Sequence, residues 1–322
     1  MTTTQSDIVA GTTDPASRVA PGRVEIERFG ISLGPWLHLA DERQRLAQPD
    51  FAHVEVVPRG VTLGAEIRGV DLTNDLPDAV IDDIRRALTD YKIVYFRDQP
   101  ITPAQHVEFA RRFGDLEIHP FIAGNEEHPE LVHFEKGADT GGFENGWHHD
   151  VSWRAEPSMG AILHAIQVPR TGGDTLFSDA CAAYDGLTDE WKDRIDDLHA
   201  IHDYMLAFAH QVPDDKSEEM RATYPLVRHP VVRTHPITGR KLIYVNGFFT
   251  SHIEGMDDEE SRAVITHLLA QANVIEYQFR LRWEPHTVAF WDNVSVQHYA
   301  SSDYHPDTRI MERASIVGTR PV

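Results

Sequence analysis

Gly146-Trp147-His148-His149-Asp150-Val151-Ser152-Trp153 is the stretch on which the reading of this chain turns. In an extended backbone, residues i and i+2 share a face. His148 and Asp150 are therefore expected to project an imidazole and a carboxylate to one side of a strand, with His149 pointing to the other. Such a pair can hold two adjacent positions on a divalent metal. A second His from elsewhere would complete a 2-His-1-carboxylate triad, the arrangement of non-heme Fe(II) oxygenases.

A His with an acid two residues on is a weak signal by itself. Seven of the 19 His have one, and in an acidic, His-rich chain most are accidents. Context separates them. His106 lies in a helical pattern, where i and i+2 diverge. His128 and His305 precede Pro, which suits a turn or an edge. His148 sits between a Gly-rich approach and an aromatic, β-prone run.

Working outward, residues 122–146 hold five Gly among acids and Asn. Apart from the run Leu131–Phe134 they are expected to form a mobile loop, and loops of this length are often lids. Residues 207–223 form a second candidate lid. Strands are expected at His53–Val57, Leu63–Val70, Lys92–Phe96, Leu116–Phe121, Gly160–Gln167, Thr175–Phe177, Leu226–Arg233, Lys241–Asn246, Val274–Trp283, Thr287–Trp291 and Arg313–Gly318. Helices are expected at Leu76–Tyr91, from the Thr102 cap to Phe113, at Asp179–Ile195 and at Asp257–Ala272. Many strands with few helices predict a mainly β fold with inserted helices: a double-stranded β-helix, or jelly roll. Residues 1–22 read as a disordered tail, 23–52 as an extension on the surface, and 53–322 as one catalytic domain.

The chain has 322 residues, 41% of them apolar, and a formal net charge of -21. That charge argues against nucleic acid and anionic membrane surfaces as partners. Cys181 is the only cysteine, which fits a reducing compartment. With no secretory signal and no membrane-length apolar run, the expectation is a cytoplasmic protein.

The third ligand must come from another strand. The stretch Phe290-Trp291-Asp292-Asn293-Val294-Ser295-Val296-Gln297-His298-Tyr299-Ala300 ends in a His among small residues. Downstream, Arg309 and Arg313 share a face if extended, and Arg is the usual receiver of a carboxylate or sulfonate.

Four blocks in order resemble the taurine/2-oxoglutarate dioxygenase family (TauD/TfdA-like): WHHD at 147–150, PRTGGDTLFSD at 169–179, WDN…QHYA at 291–300 and RIMERAS at 309–315. The resemblance runs over roughly residues 54–322. It implies Fe(II) held by His148, Asp150 and His298, with 2-oxoglutarate as co-substrate. Thr175 and Arg309 resemble the residues that hold its far carboxylate. Arg313 resembles the receiver of an anionic substrate head group, and His119 a substrate-contacting His. The implied reaction converts 2-oxoglutarate to succinate and CO2 while O2 oxidises a substrate C–H bond. Desaturation or another oxidative step on the same scaffold, or a non-catalytic metal-binding barrel, are the alternatives.

Two positions depart from the taurine-specific pattern. Ile122 stands where those enzymes carry Tyr, and Glu144 where they carry Asn. The expected partner is therefore a larger or more apolar organic anion than taurine, such as an alkyl sulfonate, a sulfate ester or a carboxylate. A homo-oligomer is left open.

Overall fold

The computed structural model describes residues 8–10, 22–26, 31–47, 49–140, 144–212 and 216–322. Two sheets organise it. The larger has seven strands in the order Glu55–Pro58, Ala65–Arg68, Ile93–Phe96, Val288–Asp292, Gly160–Gln167, Arg309–Ile316, Leu131–Lys136. Every neighbouring pair is antiparallel except Ala65–Arg68 with Ile93–Phe96. The smaller has Thr175–Asp179 between Gln278–Leu281 and Val296–Ala300, both antiparallel to it.

Side-chain alternation along the central strands dictates the layering. Val288 and Phe290 pack with Ile81, Ile84 and Leu88 of helix Asp78–Tyr91 and with helix Pro103–Arg111. Ala289 and Trp291 turn the other way and meet Phe177, Leu281 and Val296 of the small sheet. In Arg309–Ile316, Ala314 and Ile316 face the helices, which leaves Arg309, Met311 and Arg313 to line the cavity between the sheets. Thr102 caps its helix in a capping box with Gln105.

The expected elements differ from the observed ones where one residue intervenes. Leu116–Phe121 makes only a bridge, Leu116 to Ile316; Pro120 there has no N–H to give a ladder. Asp179–Ile195 breaks at Gly186 into Ala180–Asp185 and Asp189–Ile195. A Cβ on Gly186 would lie 2.1 Å from the Tyr277 hydroxyl, so only glycine fits that approach. Leu226–Arg233 divides after Pro230 into Val227–Pro230 and Val232–Thr234, which join different sheets. Val274–Trp283 begins as a 3-10 turn, Ile275–Tyr277.

The expected tail lies largely outside the described residues. Within it, Ile8–Ala10 does form a strand, paired with Val24–Ile26, which corrects the expectation of disorder for that apolar triplet. The extension is tied down by its helix Leu39–Leu46. Glu42 of that helix bridges Lys92 at 3.1 Å and Arg240 at 2.9 Å. In the first candidate lid, Leu131–Lys136 is an edge strand and residues 141–143 lie outside the described set. The described part of the second is helical: Met205–Phe208, a 3-10 turn at Ala209–Gln211, and Ser217–Thr223. No helix among the described residues is long and apolar enough to cross a membrane.

Candidate metal centre and co-substrate pocket

His148 and Asp150 do not lie on a regular strand. His148 makes a single antiparallel bridge with His298. The two residues exchange both backbone hydrogen bonds, His148 N–H to His298 O at 3.1 Å and the reverse at 2.9 Å. Beyond it the chain turns, with Val151 at φ +47°. One extended step suffices to place both side chains on one face. His149 points away and packs its ring 4.8 Å from that of Tyr244.

The structure brings His148, Asp150 and His298 together. One ligand atom from each lies within 4.8 Å of the others, and all three residues are buried. The Nε2 atoms of His148 and His298 stand 3.7 Å and 3.8 Å from Asp150 Oδ1. His148 Nδ1–H donates to the Gly146 carbonyl at 2.8 Å, which leaves Nε2 as a lone pair. Burial pushes the imidazoles of His148 and His298 down, that of His298 to about 3, so both are neutral donors. Burial pushes the Asp150 carboxyl up, but the Arg313 guanidinium beside it outweighs this and holds it at about 2. Two neutral imidazoles and one carboxylate, buried and convergent, fit a divalent transition metal.

Two features of the site were not foreseen from sequence. Asn293 clamps the backbone of Asp150, accepting from its N–H at 2.7 Å and donating to its carbonyl at 3.0 Å. A second donation from Asn293, to the Ser158 carbonyl at 3.0 Å, fixes the amide. Arg313 Nη1 donates to both Asp150 oxygens, at 3.0 and 2.9 Å, so this Arg touches the metal site as well as the cavity.

The triad opens into a cavity of about 570 Å³. Thr175, Arg309, Arg313, His119, Ile122 and Glu144, all singled out from sequence, line it. Thr175 Oγ1 accepts from the indole N–H of Trp283 at 2.9 Å, so its own proton is free for another acceptor. Arg309 is buried, its Nε and Nη2 have no partner among the described residues, and it lies 5.8 Å from the Trp283 ring. A donor hydroxyl beside a dry, unpaired guanidinium is a receptacle for one carboxylate. His119 Nδ1 accepts from the N–H groups of Phe121 and Ile122 at 3.2 and 3.1 Å, so its proton sits on Nε2. The Glu144 carboxylate lies 3.9 Å from Lys136. Val151, Leu206, Phe208, Phe248 and Phe249 supply the apolar walls. Trp283 carried no signal in the sequence beyond its place at the end of an expected strand.

Comparison with known proteins agrees with this geometry. A family model described as taurine catabolism dioxygenase, TauD/TfdA family, matches residues 55–315. An alpha-ketoglutarate-dependent sulfate ester dioxygenase of Pseudomonas putida is 34% identical over 282 residues, covering 85% of this chain and 93% of the relative. An alpha-ketoglutarate-dependent 2,4-dichlorophenoxyacetate dioxygenase of Cupriavidus pinatubonensis is 34% identical over 254 residues, covering 73% and 87%. The crystal structure of a taurine dioxygenase from Burkholderia xenovorans superposes with a TM-score of 0.73 at 32% identity, over 84% of this chain and 93% of that one.

Proposed function

The chain belongs to the taurine catabolism dioxygenase (TauD/TfdA) family, and on that premise we propose that it is an iron enzyme hydroxylating a bulky, partly apolar organic anion. It is a 2-oxoglutarate-dependent dioxygenase, an oxidoreductase, as its relatives are. The observation that carries the reading is one cavity holding three convergent metal donors at one wall and an unpaired, buried Arg309 at another.

The two sheets of residues 53–322 form a double-stranded β-helix around the site, one catalytic domain. His148, Asp150 and His298 hold the iron. Thr175 and Arg309 receive the far carboxylate of 2-oxoglutarate, with Trp283 turning the Thr175 proton toward it. When bound, iron and 2-oxoglutarate together supply the activation of O2, with 2-oxoglutarate becoming succinate and CO2 and the substrate gaining a hydroxyl. The chain's own residues orient the reactants and exclude water. Arg313 keeps one buried guanidinium N–H, on Nε, for the substrate head group, and His119 offers its Nε2–H beside it. Ile122, Leu206, Phe208 and Phe248 suit an alkyl or aryl tail. Glu144 lies 3.9 Å from Lys136 and both line the cavity, so the Lys136 charge offsets the conflict that a lone acid there would have with an anion.

A panel assay of 2-oxoglutarate consumption tests this reading. Longer alkyl sulfonates, sulfate esters or aryl-substituted carboxylates should stimulate turnover more than taurine does. Taurine as the best substrate would defeat the argument from Ile122 and the apolar wall.

A further inference from the structure

Phe248 lies flat on the imidazole of His148. Their ring centroids are 4.4 Å apart and their planes are 3° from parallel. The torsion that turns an imidazole about its Cβ–Cγ bond is soft, with broad minima. One hydrogen bond, from Nδ1 to the Gly146 carbonyl at 2.8 Å, pins one edge of the His148 ring. That bond alone leaves the ring free to tilt, and a tilt moves Nε2, the atom that faces Asp150 and the metal position. A parallel ring against one face removes the freedom.

Gly146 makes room for the stack. The three described atoms nearest to a Cβ placed there all belong to the Phe248 ring, at 2.4, 3.1 and 3.4 Å. Gly146 does not have a positive φ, so its backbone would accept a side chain. The Phe248 ring is what refuses one.

The turn that carries Phe248 is tied to the segments of the other two ligands. Asn246, fully buried, accepts through Oδ1 from the N–H groups of Phe248 and Phe249 at 3.1 and 3.0 Å. Its Nδ2 donates to Ser152 Oγ at 2.9 Å, just past Asp150 in the chain. The Val245 carbonyl accepts from Nε2 of Gln297, the residue before His298, at 3.1 Å. A supporting ring locked in this way can hold a ligand to a fraction of an ångström, which is what a preorganised centre needs.

We propose that Phe248 is a positioning residue for the metal centre: its ring holds the His148 imidazole in the plane that aims Nε2 at iron, and Gly146 is glycine so that the ring can lie there. This rests on the assignment of iron to His148, Asp150 and His298. It is separate from the part Phe248 plays in the apolar wall of the cavity.

The test is a double-mutant cycle on Fe(II) binding. Fe(II) is titrated anaerobically into the full chain at saturating 2-oxoglutarate and without primary substrate, so the wall does not enter. The charge-transfer band gives both the Kd and the ligand field, and melting of the metal-free protein checks the fold. Phe248→Leu should raise the Fe(II) Kd about 3–10-fold, the worth of one aromatic pair, and shift the band maximum. Gly146→Ala, which keeps Phe248 but pushes it off the imidazole, should do the same. The double variant should bind no worse than Phe248→Leu within about twofold, because the ring that the new methyl displaces is already gone. Wild-type Kd and band in either single variant, or penalties that multiply in the double, would overturn the role of Phe248. A wild type that forms no band would instead overturn the iron assignment, and this inference with it.

Discussion

At the scale of single residues, the chemistry is carried by side chains whose type announces it, and their support by side chains whose type does not. Asn293→Ala removes both bonds to the Asp150 backbone. It should weaken Fe(II) binding about 10–100-fold with the fold retained, the range for groups that orient metal ligands. An anaerobic Fe(II) titration beside a far-ultraviolet spectrum checks it. Trp283→Phe keeps the ring and deletes the N–H to Thr175. It should raise the 2-oxoglutarate Kd about tenfold, the worth of one well-placed hydrogen bond; calorimetry reads it directly. His148, Asp150 and His298 converge, and Arg309 lines the same cavity; these were singled out because ligands and carboxylate receivers come from a short menu of residues, whereas Thr175 was singled out only by the resemblance of its block to the family. Asn293 and Trp283 were not, because their partners stand 143 and 108 residues away in the chain, and neither residue type implies the contact.

At the scale of elements, strands buried on both faces were the most legible. Gly160–Gln167 has the bounds read from its apolar run, and Ile93–Phe96 differs by one residue. Val296–Ala300 was not read as a strand, since its pairing with Thr175–Asp179 is a long-range event. That the extension packs on the domain surface was expected, but its means were hidden: Leu39 and Leu46 enter the hydrophobic cores, and Glu42 meets charge partners far away in the chain. Burial alone would push the Glu42 carboxyl up, but Arg45, Lys92 and Arg240 together hold it at about 2. Its folded value is depressed, so its contribution is present above the ordinary carboxylate range and is lost as pH falls through about 2. Glu42→Gln should therefore cost about 1–3 kcal/mol at neutral pH, measured by urea unfolding. Ile122, Ala123, the strand Leu131–Lys136 and Glu144 of the first candidate lid, and the helix Met205–Phe208 of the second, flank the cavity. Both should gain hydrogen-exchange protection when substrate joins iron and 2-oxoglutarate, since closure keeps water from the reacting atoms. Equal protection with and without substrate would remove the lid.

At the scale of the whole molecule, the interior is unusually rich in neutral histidine. Burial pushes His106 down to about 3, and His164 and His229 to about 4. Each has a depressed folded value, so below about pH 6.5 the unfolded chain takes up protons that the folded one refuses. Stability should fall as pH drops from 6.5 toward 4, by at most about 1.4 kcal/mol per pH unit for each such group. The urea midpoint of the metal-free protein at pH 5 should lie well below that at pH 7, and His106→Gln should flatten the slope. A midpoint unchanged between the two would mean that these rings are charged in the fold.

Iron and 2-oxoglutarate meeting between His148, Asp150, His298 and Arg309 is best tested by one anaerobic titration. Fe(II) followed by 2-oxoglutarate should produce a visible charge-transfer band in the wild type. His148→Ala, Asp150→Ala or His298→Ala should lose the band while staying folded, and Arg309→Ala should need far more 2-oxoglutarate to reach it. No band in the wild type, or a full band in any of the three triad variants, would contradict the assigned centre.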